Sequence, residues 1–443
     1  MKRRDFIKKG SATAGAIIAA PYILPTGRLF AQTGTVMSPH VVLVMFSGGV
    51  RQQESVLQRY VDDSQNEPYP GNIMYNMLNG DAPEQKIVFG TGDGGIDPIP
   101  QILDSTLASQ GTLFSEVRAL SRGHYGGLNS LLQGSTVTTQ GLKAKPVNPT
   151  IFEYLRRHGG YSATDNWFIG SGIGNSLPLL NYSADEEYGA QYGANFFAPN
   201  ITFGPDCEEF LGDARVYHPE NELDSIYQMK YFLDNNFDNY AKGLETIGNT
   251  EEEKQSIKEF MEHMYEKTNN GTIAHPPVTD NGDLSTVGYT CEVLKWFKPA
   301  FTTVNLGAVD ACHSSFTDYV ASLHRADHAV GHLWNYIQNE IPEMADNTVI
   351  LCTPECGRNL QPNSILDIND WRAFDHSDEN ALRVFTLMAG GDVPQNLIIG
   401  AEGDPVGLTS DSMLTVAEIL GVKNEVMNSG YLAPGTLSLF DRM

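Results

Sequence analysis

Short runs with little or no charge, each beside a polar cluster, recur along this chain. His40–Phe46 (HVVLVMF), Thr302–Val309, Thr348–Thr353 and Leu382–Ala389 are apolar or β-branched almost throughout, the pattern of strands buried on both faces in a parallel sheet. Shorter strand-like runs begin at Leu113 and span Trp167–Gly170 and Ile87–Phe89. Between them the period changes. From Phe316 to Ile341 the residues Phe316, Val320, Leu323, Val330, Leu333, Trp334 and Ile337 recur at helical spacing. Asp327 falls within that apolar face, so it must be buried and must find a partner. His324, His328 and His332 lie four apart on the opposite side, which reads as a solvent face rather than a metal stripe. Helices are also predicted over Gln52–Tyr60, over the stretch holding Leu128, Leu131 and Leu132, and over Pro149–His158 with proline in the first turn. Further helical patterns cover Leu223–Leu244, Glu251–Lys267, where three glutamates oppose the helix dipole, and Thr409–Val422. Strands alternating with helices predict an α/β fold, a mostly parallel central sheet with helices on both faces.

Composition changes this picture at three points. With 54 acidic against 29 basic residues and a net charge of −25, the surface repels polyanions, and no nucleic-acid partner is expected. Residues 1–31 are set apart: Lys2, Arg3, Arg4, Asp5, Phe6, Ile7 and Lys8 form a twin-arginine head, followed by a weakly apolar Gly10–Leu24 and a cleavage point after Ala31. The twin-arginine export machinery is therefore an expected partner, the location periplasmic or otherwise exported, and the mature form without a stable membrane span. Residues 38–443 read as one large domain, within which Asn181 to Leu294 turns acidic and aromatic and is expected to be an inserted cap over the sheet. Five scattered cysteines make no disulfide scaffold.

The candidate chemistry gathers where the apolar runs end. Asp310 and His313 follow the Thr302 run, Glu355, Cys356, Gly357 and Arg358 follow the Thr348 run, and Asp375 and His376 precede the Leu382 run. Ligands of open α/β sheets bind outside the carboxyl ends of the strands, so these clusters are expected to converge. His40–Phe46 ends in Ser47-Gly48-Gly49-Val50-Arg51, a turn that lets backbone approach a ligand closely. It is not a phosphate loop of the G-x-x-x-x-G-K type. The elbow Ser121-Arg122-Gly123-His124 presents a hydroxyl at a strand-to-helix junction. Ser121 is the candidate nucleophile there, or else a helix cap, and His124 is a substrate or metal contact.

These pieces, in order, resemble the alkaline phosphatase and sulfatase superfamily, in particular a twin-arginine-exported branch. The resemblance is carried by HVVLVMFSGGVR, SRGHYGGLNSLLQG, RADHAVGHLWNYIQNEIPEMADNTVILCTPECGRN and FDHSDENALRVFTLMAGGDVP. It implies a three-layer sandwich and metal-dependent hydrolysis of a phosphate or sulfate ester of a small molecule or glycan. Asp310, His313, Glu355 and His376 would hold one divalent ion, zinc or calcium, and Ser121 and His124 would act on the substrate. The departures point another way. Ser47 stands where the superfamily has a metal-binding aspartate, and the sulfatase C-x-P-x-R motif is missing around Ser121. Unless Glu54 or Glu355 substitutes for that carboxylate, the resemblance implies instead a binding protein that kept the fold without catalysis.

Overall fold

The computed structural model describes residues 34–62, 67–83, 98–136, 145–170, 180–203, 247–278 and 282–443. The expected export segment, the expected Ile87–Phe89 strand and the expected Leu223–Leu244 helix lie outside them. Eight strands form the central sheet: β1 His40–Phe46, β2 Gly111–Arg118, β3 Asn166–Gly170, β4 Asn195–Phe197, β5 Phe301–Leu306, β6 Thr348–Pro354, β7 Arg383–Ala389 and β8 Leu397–Ile399. They lie in the order β8-β2-β7-β6-β1-β5-β3-β4. All run parallel except β7, which is antiparallel to both of its neighbours.

The charge-free strands owe their composition to this position. Along β1 the side chains alternate, with Val42, Val44 and Phe46 entering one core and Val41, Leu43 and Met45 the other. The first core is closed by the helices Gly282–Phe297 and Phe316–Glu340, the second by His124–Gln133, Ile151–His158 and Asp411–Ile419. The result is a three-layer α/β sandwich, as expected. Within 181–294, β4 borders the sheet, Glu251–Asn269 packs on Trp167 and Phe197, and Gly282–Phe297 fills the first core.

The reversed direction of β7 decides where its flanking residues arrive. The carboxyl ends of β1, β5 and β6 share one edge with the amino end of β7, so residues just before Arg383 meet residues just after Leu306 and Pro354.

Two local expectations are corrected. Gln52–Tyr60 is a series of turns leading into a hairpin of Arg59–Asp62 with Glu67–Pro70. Gln58 takes φ 50°, a left-handed backbone that a helical ladder does not pass through, and the Gln52 side-chain amide donates to the carbonyls of Ser115 and Val384 at 3.1 and 2.9 Å. The histidine stripe is not a solvent face: His324 and His328 are buried. The segments Asn72–Leu78 and Ile99–Leu103 cover that side of the helix, and polar groups enter it to bind them. His324 Nδ1 donates to the Ile73 carbonyl at 2.8 Å and Nε2 accepts the Ile99 amide at 2.9 Å. Both nitrogens are thus used, and burial pulls the ring down to about 4.

Asp327 finds the partners its burial demands. It accepts the backbone and side-chain N–H groups of Asn76 at 3.0 and 2.9 Å and the Met77 amide at 2.8 Å. Burial pushes its carboxyl up to about 7 in spite of these donors. The folded state therefore holds a proton that the unfolded chain releases near pH ~3.9, and this group's contribution to stability falls as pH rises from about 4 to 7. Asp327→Asn must turn an amide N–H toward a donor and is expected to cost about 1–3 kcal/mol. Urea denaturation of both proteins at pH 5 and pH 8 checks this, the wild-type advantage being larger at pH 5.

Candidate metal and ester site

The site is built on the Gly-rich turn after β1. Gly48 has φ 147° and Gly49 φ 73°, conformations open to glycine, and a Cβ on Gly48 would overlap the backbone of Asp310. The freed amides point at Glu355, just past β6. Gly48 N–H donates to Oε1 at 2.7 Å and Gly49 N–H to Oε2 at 3.4 Å. Glu355 therefore brings its carboxylate to the turn where the chain has Ser47, whose hydroxyl donates to Asn305 Oδ1. Glu54 does not, because it is paired with Arg51 in the interior.

Past β5, residues Ala308–His313 form a 3-10 turn. Its start is fixed by Asp283, which accepts the amides of Gly307 and Ala308 at 2.8 and 3.1 Å, and its end by the Phe374 amide on the Cys312 carbonyl at 2.8 Å. That turn presents Asp310 and His313. The segment before β7 brings Asp375 and His376 alongside them, as the strand directions require.

His124, first residue of its helix, joins the clusters. Its Nδ1 lies 2.7 Å from Glu355 Oε1, and its Nε2 lies 3.2 Å from Asp310 Oδ1 and 3.5 Å from His313 Nε2. The His376 ring lies 4.2 Å from that of His124 and 4.9 Å from that of His313, centre to centre. Asp310 Oδ1 also meets His313 Nε2 at 3.3 Å and the buried Arg358 guanidinium at 2.7 Å. All four expected ligands, Asp310, His313, Glu355 and His376, thus meet around His124.

The electrostatics reflect burial and these pairs. Burial alone would lower His124, but hydrogen bonds to Asp310, Cys356 and Glu355 outweigh it and push the imidazole up to about 12. Burial would raise Asp310, yet His124 and Arg358 hold it down to about 2. His376 is brought down to about 4, by burial first and then by the charges of His124, Arg358 and His313.

Among the described residues, two groups hold their ligand atoms within 4.8 Å of one another: His124 with His313 and His376, and His124 with Glu355 and Cys356. The donor set suits a divalent ion. His313 Nδ1 faces Asp375 Oδ1 at 3.1 Å. A carboxylate behind a ligating histidine fixes its tautomer and leaves the other nitrogen's lone pair toward the site.

Ser121 sits at the elbow as expected. Its Oγ donates to the Gly123 carbonyl at 3.1 Å and accepts the Gly123 amide at 3.0 Å, a small closed loop before the helix. Arg358 and Asp375 hold the site together, and sequence alone does not mark them as ligand-orienting residues. Their signal is present in the stretches ECGR and FDH, but their roles depend on partners some 48 and 62 positions away.

Helix and strand meet tightly here. A Cβ on Gly127 would fall 2.9 Å from Glu355 Cγ and closer still to its carbonyl oxygen. Gly127→Ala must push Glu355 off His124 and is expected to cost about 1–3 kcal/mol despite the better helix propensity of alanine. Thermal denaturation reads the loss, and an unchanged or higher Tm would show that the contact yields.

No protein-family profile matches the chain, and no curated protein does. Among solved structures it is similar to the lipoteichoic acid synthase LtaP of Listeria monocytogenes, with 11% identity, TM-score 0.36, and 92% of this chain and 78% of the other covered. It is also similar to a 2-O GAG sulfatase, with 11% identity, TM-score 0.39, and coverage of 87% and 71%. A third is a protein in the alkaline phosphatase superfamily from Vibrio parahaemolyticus, with 10% identity, TM-score 0.42, and coverage of 95% and 76%.

Proposed function

We propose that this chain is an exported hydrolase that uses one divalent ion to cleave a phosphate or sulfate ester of a small molecule or glycan. The observation that carries the reading is the meeting of His124, His313 and His376 with ligand atoms within 4.8 Å, flanked by Asp310 and Glu355. His124, His313 and His376, with Asp310 and Glu355 beside them, would hold the ion. When bound, it supplies Lewis acidity to an ester oxygen. Imidazole-rich donors suit zinc better than calcium.

The chain's own groups do the rest. Asp375 orients His313, and the Gly48 amide orients Glu355. His124 and Arg358 together keep Asp310 ionised. Ser121, beside the amino end of the His124–Gln133 helix, is assigned the attacking hydroxyl, on the side where helix amides favour an anion. Export rests on the twin-arginine head. No described helix is long and apolar enough to cross a membrane. Residues 38–443 are taken as a single domain with 181–294 inserted.

One observation favours a second reading, a non-catalytic anion-binding protein. Arg358 lies 2.7 Å from Asp310, a fixed cation against a carboxylate that an ion would otherwise claim. Metal content of the purified full chain, with hydrolysis of aryl phosphate, phosphodiester and aryl sulfate, separates the two. The enzyme reading expects a stoichiometric divalent ion and turnover that disappears in Ser121→Ala. A chain without stoichiometric metal would overturn it, and turnover retained in Ser121→Ala would remove that residue from the chemistry.

A further inference from the structure

The loop between β6 and β7 is built inside out. Its polar side chains turn inward onto backbone groups. Asn359 Oδ1 accepts the amides of Ser377 and Asp378 at 2.6 and 2.8 Å, Asn363 Nδ2 donates to the His313 carbonyl at 3.2 Å, and Asp367 accepts the Thr317 and Trp371 amides at 2.7 and 3.0 Å. Its aliphatic side chains face solvent: Leu360, Ile365, Leu366 and Ile368 are 50%, 46%, 55% and 71% exposed. Single exposed aliphatic residues are ordinary, but several gathered in one short loop make a patch of the kind that marks a binding surface.

This patch borders the ester site. The Leu360 amide donates to Asp378 Oδ2 at 2.9 Å, and the Asp378 carbonyl accepts Arg122 Nε at 2.9 Å, next to Ser121. Asn363, whose Nδ2 holds the His313 carbonyl, accepts the Ile365 amide on its Oδ1 at 2.8 Å. Leu360 is thus tied to the elbow that bears the assigned attacking hydroxyl, and Ile365 to the turn that bears His313.

We propose that Leu360, Ile365, Leu366 and Ile368 seat the alcohol portion of the ester, and that this portion is an alkyl chain, so that the substrate is an amphiphile with one anionic head. The inference rests on the hydrolase reading and narrows its substrate.

Charge and rigidity favour this occupant. Asp367 is the one charged side chain from Leu360 to Ile368, and it is engaged with Thr317 and Trp371, so the patch offers no free charge. A chain of net charge −25 repels a multiply charged glycan or an anionic lipid surface, whereas a singly charged head with a neutral tail meets that repulsion least. The loop is held against the site at two points, the Asn359 amide on the Asp375 carbonyl at 2.7 Å and the Asn363 amide on the Ala373 carbonyl at 2.8 Å. Little ordering is left to pay when a chain settles on it.

Hydrolysis and calorimetric binding of n-butyl, n-hexyl and n-octyl phosphate and sulfate, kept below their micelle concentrations, test the inference on the full chain. A fully buried methylene gains about fourfold and a surface that covers one side about twofold, so octyl is expected to exceed butyl roughly sixteenfold in kcat/KM. The gain should lie in KM, because the tail is bound alike in the ground and transition states. In Leu360→Ser/Ile365→Ser the octyl-to-butyl ratio should fall below about fourfold. Circular dichroism shows whether that variant is folded, and Ile365→Ser alone serves if it is not. Turnover with equal butyl and octyl values would overturn the seat while leaving the hydrolase reading intact, and so would a ratio unchanged in a folded variant. No turnover, with octyl binding still preferred and weakened in the variant, would support the seat and overturn the hydrolase reading. No turnover and no preference would overturn both. Sedimentation with phosphatidylcholine vesicles, or a dimer, that disappears in the variant in the absence of any chain-length preference would overturn the seat by giving the patch to a lipid surface or to a second copy.

Discussion

Arg51→Met is expected to destabilise the protein by about 3–5 kcal/mol, the cost of leaving a buried charge without its partner. Arg51 and Glu54 are both excluded from solvent and paired through two guanidinium nitrogens, with Nε 2.9 Å from Oε2. The guanidinium also lies 3.7 Å from the centre of the Phe374 ring, a cation over an aromatic face. Tyr319 completes the cluster, its hydroxyl accepting the Arg51 amide at 3.0 Å and donating to Glu54 at 3.4 Å. Methionine fills the volume but leaves the Glu54 carboxyl without its partner in the interior. The double variant Arg51→Met/Glu54→Leu removes both charges and should recover much of the loss, since replacing a whole buried pair by apolar groups is often neutral. Urea denaturation of the wild type, both single variants and the double measures the coupling. A loss below about 1 kcal/mol for Arg51→Met would mean that the pair is hydrated.

The same cluster links stability to the site. Phe374 directly precedes Asp375 and His376, and its amide is bound to the Cys312 carbonyl next to His313. Loosening the ring loosens two of the segments that bring ligands together. Metal affinity should therefore fall in Arg51→Met and recover in part in the double variant.

How much of this is legible in the sequence depends on the range over which each signal acts. β1, β6 and β7 announce themselves because strands in the middle of a sheet are covered on both faces, so every residue from Val41 to Phe46 is apolar. The three clusters at the strand ends can be read for the same reason, since an apolar run that stops at Asp310 or Glu355 marks the edge of the core. The helix expected over Gln52–Tyr60 fails to form because Arg51, Gln52 and Glu54 spend their side chains on partners far away in sequence or on each other, which periodicity does not show. The histidine stripe misleads because a helix can be covered on two sides. His324, beside the apolar face that holds Asp327, has both ring nitrogens satisfied by Ile73 and Ile99, so the hydrophobic pattern alone marks the histidine side as exposed. The position of His124 as the common neighbour of Asp310, His313, Glu355 and His376 is beyond the sequence altogether. It depends on helix and strand approaching at Gly127, where the absence of a side chain is visible but its purpose is not.

That central position makes His124→Ala the most damaging change expected for function. Its two nitrogens face different partners, Glu355 and Cys356 on one side and Asp310 and His313 on the other, so a single truncation takes one ligand from each of the two groups. His376→Ala removes a ligand from the histidine group alone. Metal affinity is accordingly expected to fall in the order wild type, His376→Ala, His124→Ala, with the last losing more than the roughly 10–100-fold typical of an outer-shell partner. Ester hydrolysis should track metal content. The folded state should tolerate the change better than the site does, because Glu355 keeps the Gly48 and Gly49 amides at 2.7 and 3.4 Å, and Asp310 keeps Arg358. Elemental analysis of each variant after dialysis against zinc, with circular dichroism melts alongside, gives both readouts. If folded His124→Ala holds as much zinc as the wild type, the groups that converge on this residue are an internal hydrogen-bond network rather than a metal centre, and the imidazolium between Glu355 and Asp310 is itself the cation the pocket was built around.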